Sequence, residues 1–243
     1  MKCMVLSSRT AKEILRDPIN LFFGLGFPLV LIFLLSTIQK NIPVSLFEVH
    51  KLTPGITVFG LSFMSLFASV IVSKDRESSL LSRLYTTPLR SMDFILGYML
   101  PLIPISILQS LICYIASIPF GLKLSLGVVW ALGGNILVSL FFISLGVLCG
   151  SVMTSKQVGG ICGALLTNLS AWLSGIWFDI SLVGGVLKKV ADVLPFIHAV
   201  EMEKALFSGN IDGIGVHVLI LSLYTLGITI LAVFMFLRQM NNK

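Results

Sequence analysis

Three residues near the end of the chain have the spacing of metal ligands on a helix. They are His198, Glu201 and Glu203, in the segment H-A-V-E-M-E. Imidazole and carboxylate groups bind transition metals, but a metal site usually recruits three or four protein ligands on one surface. The polar face of an exposed amphipathic helix accounts for the same residues, and we favour that interpretation over a metal site.

No catalytic motif is present elsewhere in the sequence. A G-x-x-x-x-G-K-[ST] phosphate loop is absent: the nearest segment, from Gly150 to Lys156, lacks the second glycine and is followed by Gln157 where a hydroxyl is needed. The motifs H-E-x-x-H and G-x-S-x-G are absent as well. We therefore predict that the chain is not an enzyme, holds no metal or cofactor, and does not bind ATP by itself.

The composition is that of an integral membrane protein. Of the 243 residues, 56% are hydrophobic and 12% are charged, whereas a soluble domain has about 25% charged residues. The formal net charge of +6 does not indicate nucleic-acid binding, because the basic residues are not gathered into an aromatic-laced patch.

Six segments are long and apolar enough to cross a membrane, which takes about 20 residues. They run approximately over 21–38, 56–72, 94–118, 128–153, 158–178 and 216–237. Pro101 and Pro104 predict kinks in the third segment. The fold class predicted from this pattern is all-α, with six transmembrane helices in a single domain over residues 1–243.

Two further helical regions are predicted outside the spans. Residues 1–18 fit a helix lying in the headgroup layer and ended by Pro18. Residues 179–215 are half apolar and too charged to cross fully. We expect this outer region to dip partway into the membrane as one or two short helices broken at Pro195.

The charge-rich segment 73–90 separates the second and third spans. It opens with Lys74, Asp75, Arg76 and Glu77, and continues with an apolar stripe at Leu80, Leu81 and Leu84, from which Arg76 and Arg83 point away. Such a helix on the membrane surface could dock a soluble partner and pass its movement to both spans. An inert loop with solvated charges explains the pattern equally well.

The basic residues predict the orientation. Eleven of the 17 Lys and Arg residues fall on the side that holds both termini and residues 73–90, so this side is expected to be cytosolic. The predicted spans contain no Asp, Glu, Lys or Arg at mid-depth, which argues against a carrier driven by protons or sodium. Energy would then have to enter from elsewhere, and residues 73–90 are the candidate entry point.

Small residues are grouped in the fourth and fifth spans. Gly146 with Gly150, and Gly159 with Gly163, are G-x-x-x-G pairs that let two helices approach closely. Packing inside one subunit is the favoured interpretation, and a dimer interface is the alternative.

With these features in place, the chain resembles the permease subunits of ABC-2 type transporters over essentially its whole length. The pieces that resemble the family are Arg16-Asp17-Pro18 before a span containing Pro28, Thr53-Pro54-Gly55, Leu194-Pro195-Phe196 with the stretch to Gly209, and Lys74-Asp75-Arg76-Glu77 with Leu81, Leu84 and Thr87-Pro88-Leu89. The last piece is similar to the family segment E-R-E-x-G-T-L-E-x-L-x-x-T-P. It departs from that segment at Ser78-Ser79 and at Ser82, which makes it more basic.

The resemblance implies an exporter of a hydrophobic or amphipathic substrate in the plasma membrane, of bacterial type. A separate ATP-binding subunit would bind ATP and Mg, and a second permease copy or paralogue would complete the membrane part. The helix in residues 73–90 would be the coupling helix, which transmits movement from the ATP-binding subunit. It would contact that subunit through Lys74, Asp75, Arg76, Glu77, Leu81, Arg83 and Leu84. The pathway between the two permeases would be lined by Phe63, Met64, Phe67, Asn168 and Trp172. An intramembrane enzyme and a passive channel or scaffold are the alternatives.

Overall fold

The computed structural model describes residues 2–42, 47–78, 91–178, 180 and 184–241. These residues form helices joined by short connections, and none of them belongs to a β-strand. The predicted all-α class is therefore confirmed for the described part of the chain.

The first two helices meet at Pro18, as the sequence predicts. Helix α1 is Lys2–Leu15 and helix α2 is Pro18–Asn41. Asp17 caps α2 by accepting a hydrogen bond from the backbone N–H of Asn20 at 3.2 Å, and a proline at the first helical position loses no intrahelical hydrogen bond. Helix α1 buries Leu6, which packs against Gly97, where a Cβ would lie only 2.6 Å from the Leu6 side chain.

Helix α3, Val49–Glu77, is the central helix of the bundle. In its most apolar window 94% of the residues are buried, against 28% in α2. It begins before and ends after the predicted span 56–72. Lys74, Asp75, Arg76 and Glu77 thus form the last turn of this span, because neither glycine nor proline interrupts the helix there. The rest of the predicted coupling helix, with Leu81, Arg83 and Leu84, lies outside the described residues.

Helix α4, Asp93–Phe120, is interrupted and helix α5, Leu126–Val152, is continuous. The interruption falls between Ser91–Met99 and Leu102–Ser117, at Leu100 and Pro101, which confirms the predicted kink at Pro101. Pro104 lies in the first turn of the second piece, where a proline is tolerated without a break.

The glycines of α5 allow its close contact with α3. A Cβ at Gly146 would lie 2.3 Å from the carbonyl oxygen of Ser65, and one at Gly150 would lie 2.7 Å from that of Ser69. This pair therefore packs inside one chain, as favoured from the sequence. In the second pair the two glycines differ, since a Cβ at Gly163 would lie 3.3 Å from the Leu66 side chain of α3, whereas one at Gly159 would meet nothing within 4 Å.

The predicted fifth span is helical but is not among the helices that qualify as spans. Helix α6 runs over residues 155–173 as three consecutive pieces, of which the middle one, Gly159–Leu166, is a π-helix. Lys156, Gln157 and Asn168 lower its apolar character. Five helices of the described residues are long and apolar enough to cross a membrane, so the predicted number of six is not confirmed.

The region before the last span contains two helices that meet at Pro195, in agreement with the predicted break. Helix α7 is Gly185–Val193 and helix α8 is Pro195–Ser208. Helix α9, Ile214–Asn241, completes the fold. It is a peripheral helix, since only 17% of its most apolar window is buried.

Candidate functional site

Three of the predicted coupling residues fasten the end of α3 to its neighbours. We call Asp75, Arg76 and Glu77 the α3 hub, because each contacts different helices. Lys74 is exposed on the same turn.

Asp75 joins α1, α3 and α4. Asp75 is buried, and its carboxylate accepts two hydrogen bonds from the Arg9 guanidinium, 2.6 Å at Oδ2 and 2.7 Å at Oδ1. The Tyr98 hydroxyl donates a third, 3.0 Å long, to Oδ2. The hydrogen bond to Asp75 raises the pKa of Arg9 above its ordinary value. A bidentate arginine is the geometry that compensates a buried carboxylate best.

Arg76 joins α3 to the ends of α5 and α9. Its Nη1 donates to the carbonyl oxygen of Ser151 at 2.9 Å and to Oε1 of Gln239 at 3.0 Å. Its Nη2 donates to the carbonyl oxygen of Met153. The last carbonyls of a helix have no intrahelical partner and bear partial negative charge, so a cation is favourable there.

Glu77 joins α3 to the start of α6. Its Oε1 accepts a hydrogen bond of 2.8 Å from the backbone N–H of Ser155, and its Oε2 accepts one from the Ser155 hydroxyl. The same turn has a reciprocal capping box between Thr154 and Gln157. A carboxylate at a helix N-terminus faces unpaired N–H groups and a favourable dipole.

A basic groove of about 1040 Å³ lies beside the hub. It is lined by Lys74 and by residues of the α1 and α2 ends, among them the cations Arg9, Lys12 and Arg16 and the carboxylates Glu13 and Asp17. Four cations against two carboxylates give the groove a net positive charge.

The predicted pathway residues are not brought together. Phe63, Met64 and Phe67 are buried inside the chain, and Phe63 packs among the rings of Phe23, Phe27 and Phe59. Asn168 and Trp172 are instead exposed on α6. In this conformation only the last two lie on a surface that a second subunit could face.

The predicted exposed amphipathic helix around His198 is wrong, because that side of α8 faces the protein. His198 Nδ1 lies 2.8 Å from Nδ1 of His217, and its Nε2 lies 2.9 Å from the carbonyl oxygen of Asp192. Glu203 is completely buried, and Glu201 pairs with Lys204 at 2.9 Å. The three residues thus have separate partners, and no metal-binding cluster of three ligands occurs in the described ranges.

The contacts of the α3 hub and the burial of Glu203 are structural features that the sequence patterns did not predict. For Glu203 a signal existed in the sequence: it falls on the apolar stripe of α8 formed by Phe196, Ala199, Val200 and Phe207, all of which are buried. For Asp75 and Arg9, 66 positions apart, no local pattern indicates the pair.

Comparison with known families gives one result. A family model described as ABC-2 type transporter matches residues 1–207. No curated protein matches the chain.

Proposed function

The chain belongs to the ABC-2 type transporter family, and from this premise we propose that it is the permease subunit of an exporter for a hydrophobic or amphipathic substrate. In this proposal the energy comes from ATP hydrolysed by a separate subunit that binds ATP and Mg. The single observation that supports it best is the α3 hub, because it connects the end of one helix to five others.

The hub suits the transmission of movement. Residues 79–90, which include Leu81, Arg83 and Leu84, follow it directly in the chain. A force applied there would reach Asp75, Arg76 and Glu77 first, and through them α1, α4, α5, α6 and α9. Hydrogen bonds with a charged partner contribute about 1.5–3 kcal/mol each, so the helix ends should move together and not separate.

In the proposed complex, residues 79–90 touch the ATP-binding subunit. The hub itself is engaged within the chain, so Asp75, Arg76 and Glu77 would act as positioning residues behind the contact, and Lys74 would contribute charge at its edge. ATP can shift the permease between two states only if it favours one of them, which takes several kcal/mol for a near-complete shift.

The pathway would form between two permease subunits in the plasma membrane, with both termini in the cytosol. Asn168 and Trp172 of α6 are the exposed candidates for its lining. Phe63, Met64 and Phe67 would reach it only if the helices that cover them, among them α2, move away from α3 during the cycle.

The test is reconstitution of the full chain with ATP-binding subunits encoded in the same genome, followed by ATP-driven uptake of a fluorescent amphipathic dye into inside-out vesicles. We expect Leu84→Asp to abolish both uptake and co-purification of the ATP-binding subunit, while Leu187→Asp, at an exposed leucine of α7, preserves both. Dye movement without ATP would support a channel instead, and normal uptake by Leu84→Asp would contradict the coupling role.

The pathway is tested with a matched pair of exposed tryptophans, Trp172 on α6 and Trp130 on α5. We expect Trp172→Ala to weaken dye uptake at unchanged ATPase coupling and Trp130→Ala to leave uptake unchanged. Equal effects of the two changes would place the pathway elsewhere.

A further inference from the structure

One carboxyl group is completely buried between helices of the bundle. Glu203 belongs to α8, outside the five spans, yet it has no exposed surface. Its partners are Tyr114 on α4 and Asn135 on α5. Asn135 lies nine residues into α5 from Leu126, which is about 14 Å along the helix axis.

Both partners donate to the same oxygen of the carboxyl group. The Tyr114 hydroxyl lies 2.7 Å from Oε1 of Glu203, and Nδ2 of Asn135 lies 2.8 Å from the same atom. Oε2 of Glu203 accepts no hydrogen bond in the described structure, and neither does Oδ1 of Asn135. Two buried acceptors without a donor therefore lie on adjoining groups.

No cation compensates a negative charge at this position. Glu13, Asp75, Glu48 and Glu201 each have an ion-pair partner, whereas Glu203 has none among the described residues. An ionised carboxylate without a partner costs several kcal/mol to bury. A neutral carboxylic acid avoids this cost, and its hydroxyl supplies the missing donor.

We propose that Glu203 is a proton-binding site, occupied when α8 is packed against α4 and α5. The proton resides on Oε2 and is donated to Oδ1 of Asn135, while Oε1 accepts from Nδ2 of Asn135 and from Tyr114. Acid and amide then form a reciprocal pair in which each buried polar atom has a partner. Ionisation releases the proton to water or buffer and leaves an unpaired charge that favours separation of α8.

The titratable groups on the surrounding helices do not replace that proton. On α8, Glu201 pairs with Lys204, and His198 contacts His217 of α9. On α3, His50 stacks on Phe207 with ring centroids 6.2 Å apart. The titratable residues of helix α7 are Lys188, Lys189 and Asp192, and helix α4 has Cys113 next to Tyr114. The one titratable side chain of α5 is Cys149, near the end of the helix that is distant from Asn135.

The pKa of Glu203 agrees with this geometry. Burial raises it from 4.5 to about 8, against a smaller lowering by the hydrogen bonds from Tyr114 and Asn135. At pH 7 the neutral acid would then outnumber the carboxylate by roughly ten to one.

The direct test is infrared spectroscopy of the full chain with isotope-labelled glutamate, in lipid nanodiscs, titrated from pH 5 to pH 9. We expect one protonated-carboxyl stretch that persists at pH 7, loses about half of its intensity near pH 8, and is absent from Glu203→Gln. The control Glu201→Gln should keep the stretch. A labelled wild-type protein whose glutamates are all ionised at pH 7 would overturn the proposal, and this result needs no variant to fold.

Thermal melting gives a second, independent readout. The amide of Glu203→Gln accepts at one atom and donates at the other, so it imitates the neutral acid. We expect the melting temperature of the wild type to fall between pH 5 and pH 8, and that of Glu203→Gln to fall markedly less. Parallel pH profiles for the two proteins would contradict proton binding at Glu203.

Discussion

Replacing Arg9, which binds Asp75 of the α3 hub, with methionine should destabilise the protein more than replacing Asp75 with asparagine. Methionine keeps the apolar stem of the side chain but leaves Asp75 buried with only Tyr98 as a hydrogen-bond donor. The Asp75 side chain is 4% exposed and that of Arg9 is 37% exposed. The Asp75 carboxylate is therefore almost completely shielded from water, whereas the Arg9 guanidinium is partly solvated.

The magnitude follows from these exposures. Breaking a fully buried ion pair costs about 3–5 kcal/mol, and an exposed pair contributes about 0.2–1 kcal/mol. For a pair with one buried and one half-exposed member we expect about 2–3 kcal/mol, which corresponds to a loss of about 4–12 °C in melting temperature for a chain of this size. Asp75→Asn should cost less, because it removes the buried charge and lets Arg9 turn toward solvent.

The assay is thermal melting of purified protein in one detergent at one pH. Glu13→Gln is the matched control, since Glu13 forms a more exposed pair with the same Arg9 at 2.8 Å and its loss should cost only about 0.3–0.5 kcal/mol. The reasoning is refuted if Arg9→Met and Glu13→Gln have the same melting temperature. It is also refuted if Asp75→Asn lowers the melting temperature more than Arg9→Met does.

Three further changes have defined outcomes. Gly146→Ala should lower the free energy of unfolding by about 1–3 kcal/mol, because its Cβ would lie 2.3 Å from the carbonyl oxygen of Ser65. The control Gly133→Ala, on the same helix, meets nothing within 4 Å and should raise the free energy of unfolding by up to about 1 kcal/mol. Equal shifts in melting temperature would contradict the close packing. Arg76→Met should lower the free energy of unfolding by about 1.5–3 kcal/mol and speed amide hydrogen exchange in the last turn of α5. An unchanged exchange rate there would mean that Arg76 does not cap the helix. The pKa of the Glu203 carboxyl is about 8 in the folded state, against 4.5 for an ordinary glutamate. Between these pH values the unfolded state binds fewer protons, so the free energy of unfolding should fall by about 1.4 kcal/mol per pH unit as the pH rises. Denaturation of Glu203→Gln at several pH values should give a smaller slope.

Features of the fold that depend on neighbouring residues were predictable from the sequence. The breaks at Pro18, Pro101 and Pro195 follow from the geometry of the proline ring, which acts within one turn of its own position. The pair Gly146 and Gly150 was predictable as a site of close approach, because the absence of a side chain has the same consequence whatever helix lies opposite.

Features that depend on distant residues were not predictable in this way. Lys74, Asp75, Arg76 and Glu77 have the composition of a solvated surface segment. Partners that are distant in the sequence, such as Arg9, Met153 and Ser155, make this turn part of the bundle. The predicted fifth span also depended on context, since α6 is helical but contains polar residues and a π-helical piece.

The α3 hub and the Glu203 site belong to different helices but both contact α5, the hub at its end and Glu203 toward its start. Helix α5 is continuous over 27 residues, about 40 Å, with Asn135 toward its start and the carbonyl of Ser151, which binds Arg76, in its last turn. A continuous helix moves as a rigid element, so a displacement imposed at the hub would also act on the Asn135 side chain. The acid–amide pair at Glu203 tolerates little displacement, because its hydrogen bonds depend on distance and angle. Protonation of Glu203 and movement of the α3 hub would therefore be linked through α5, and the effect of protonation on the movement would equal, in free energy, the effect of the movement on protonation.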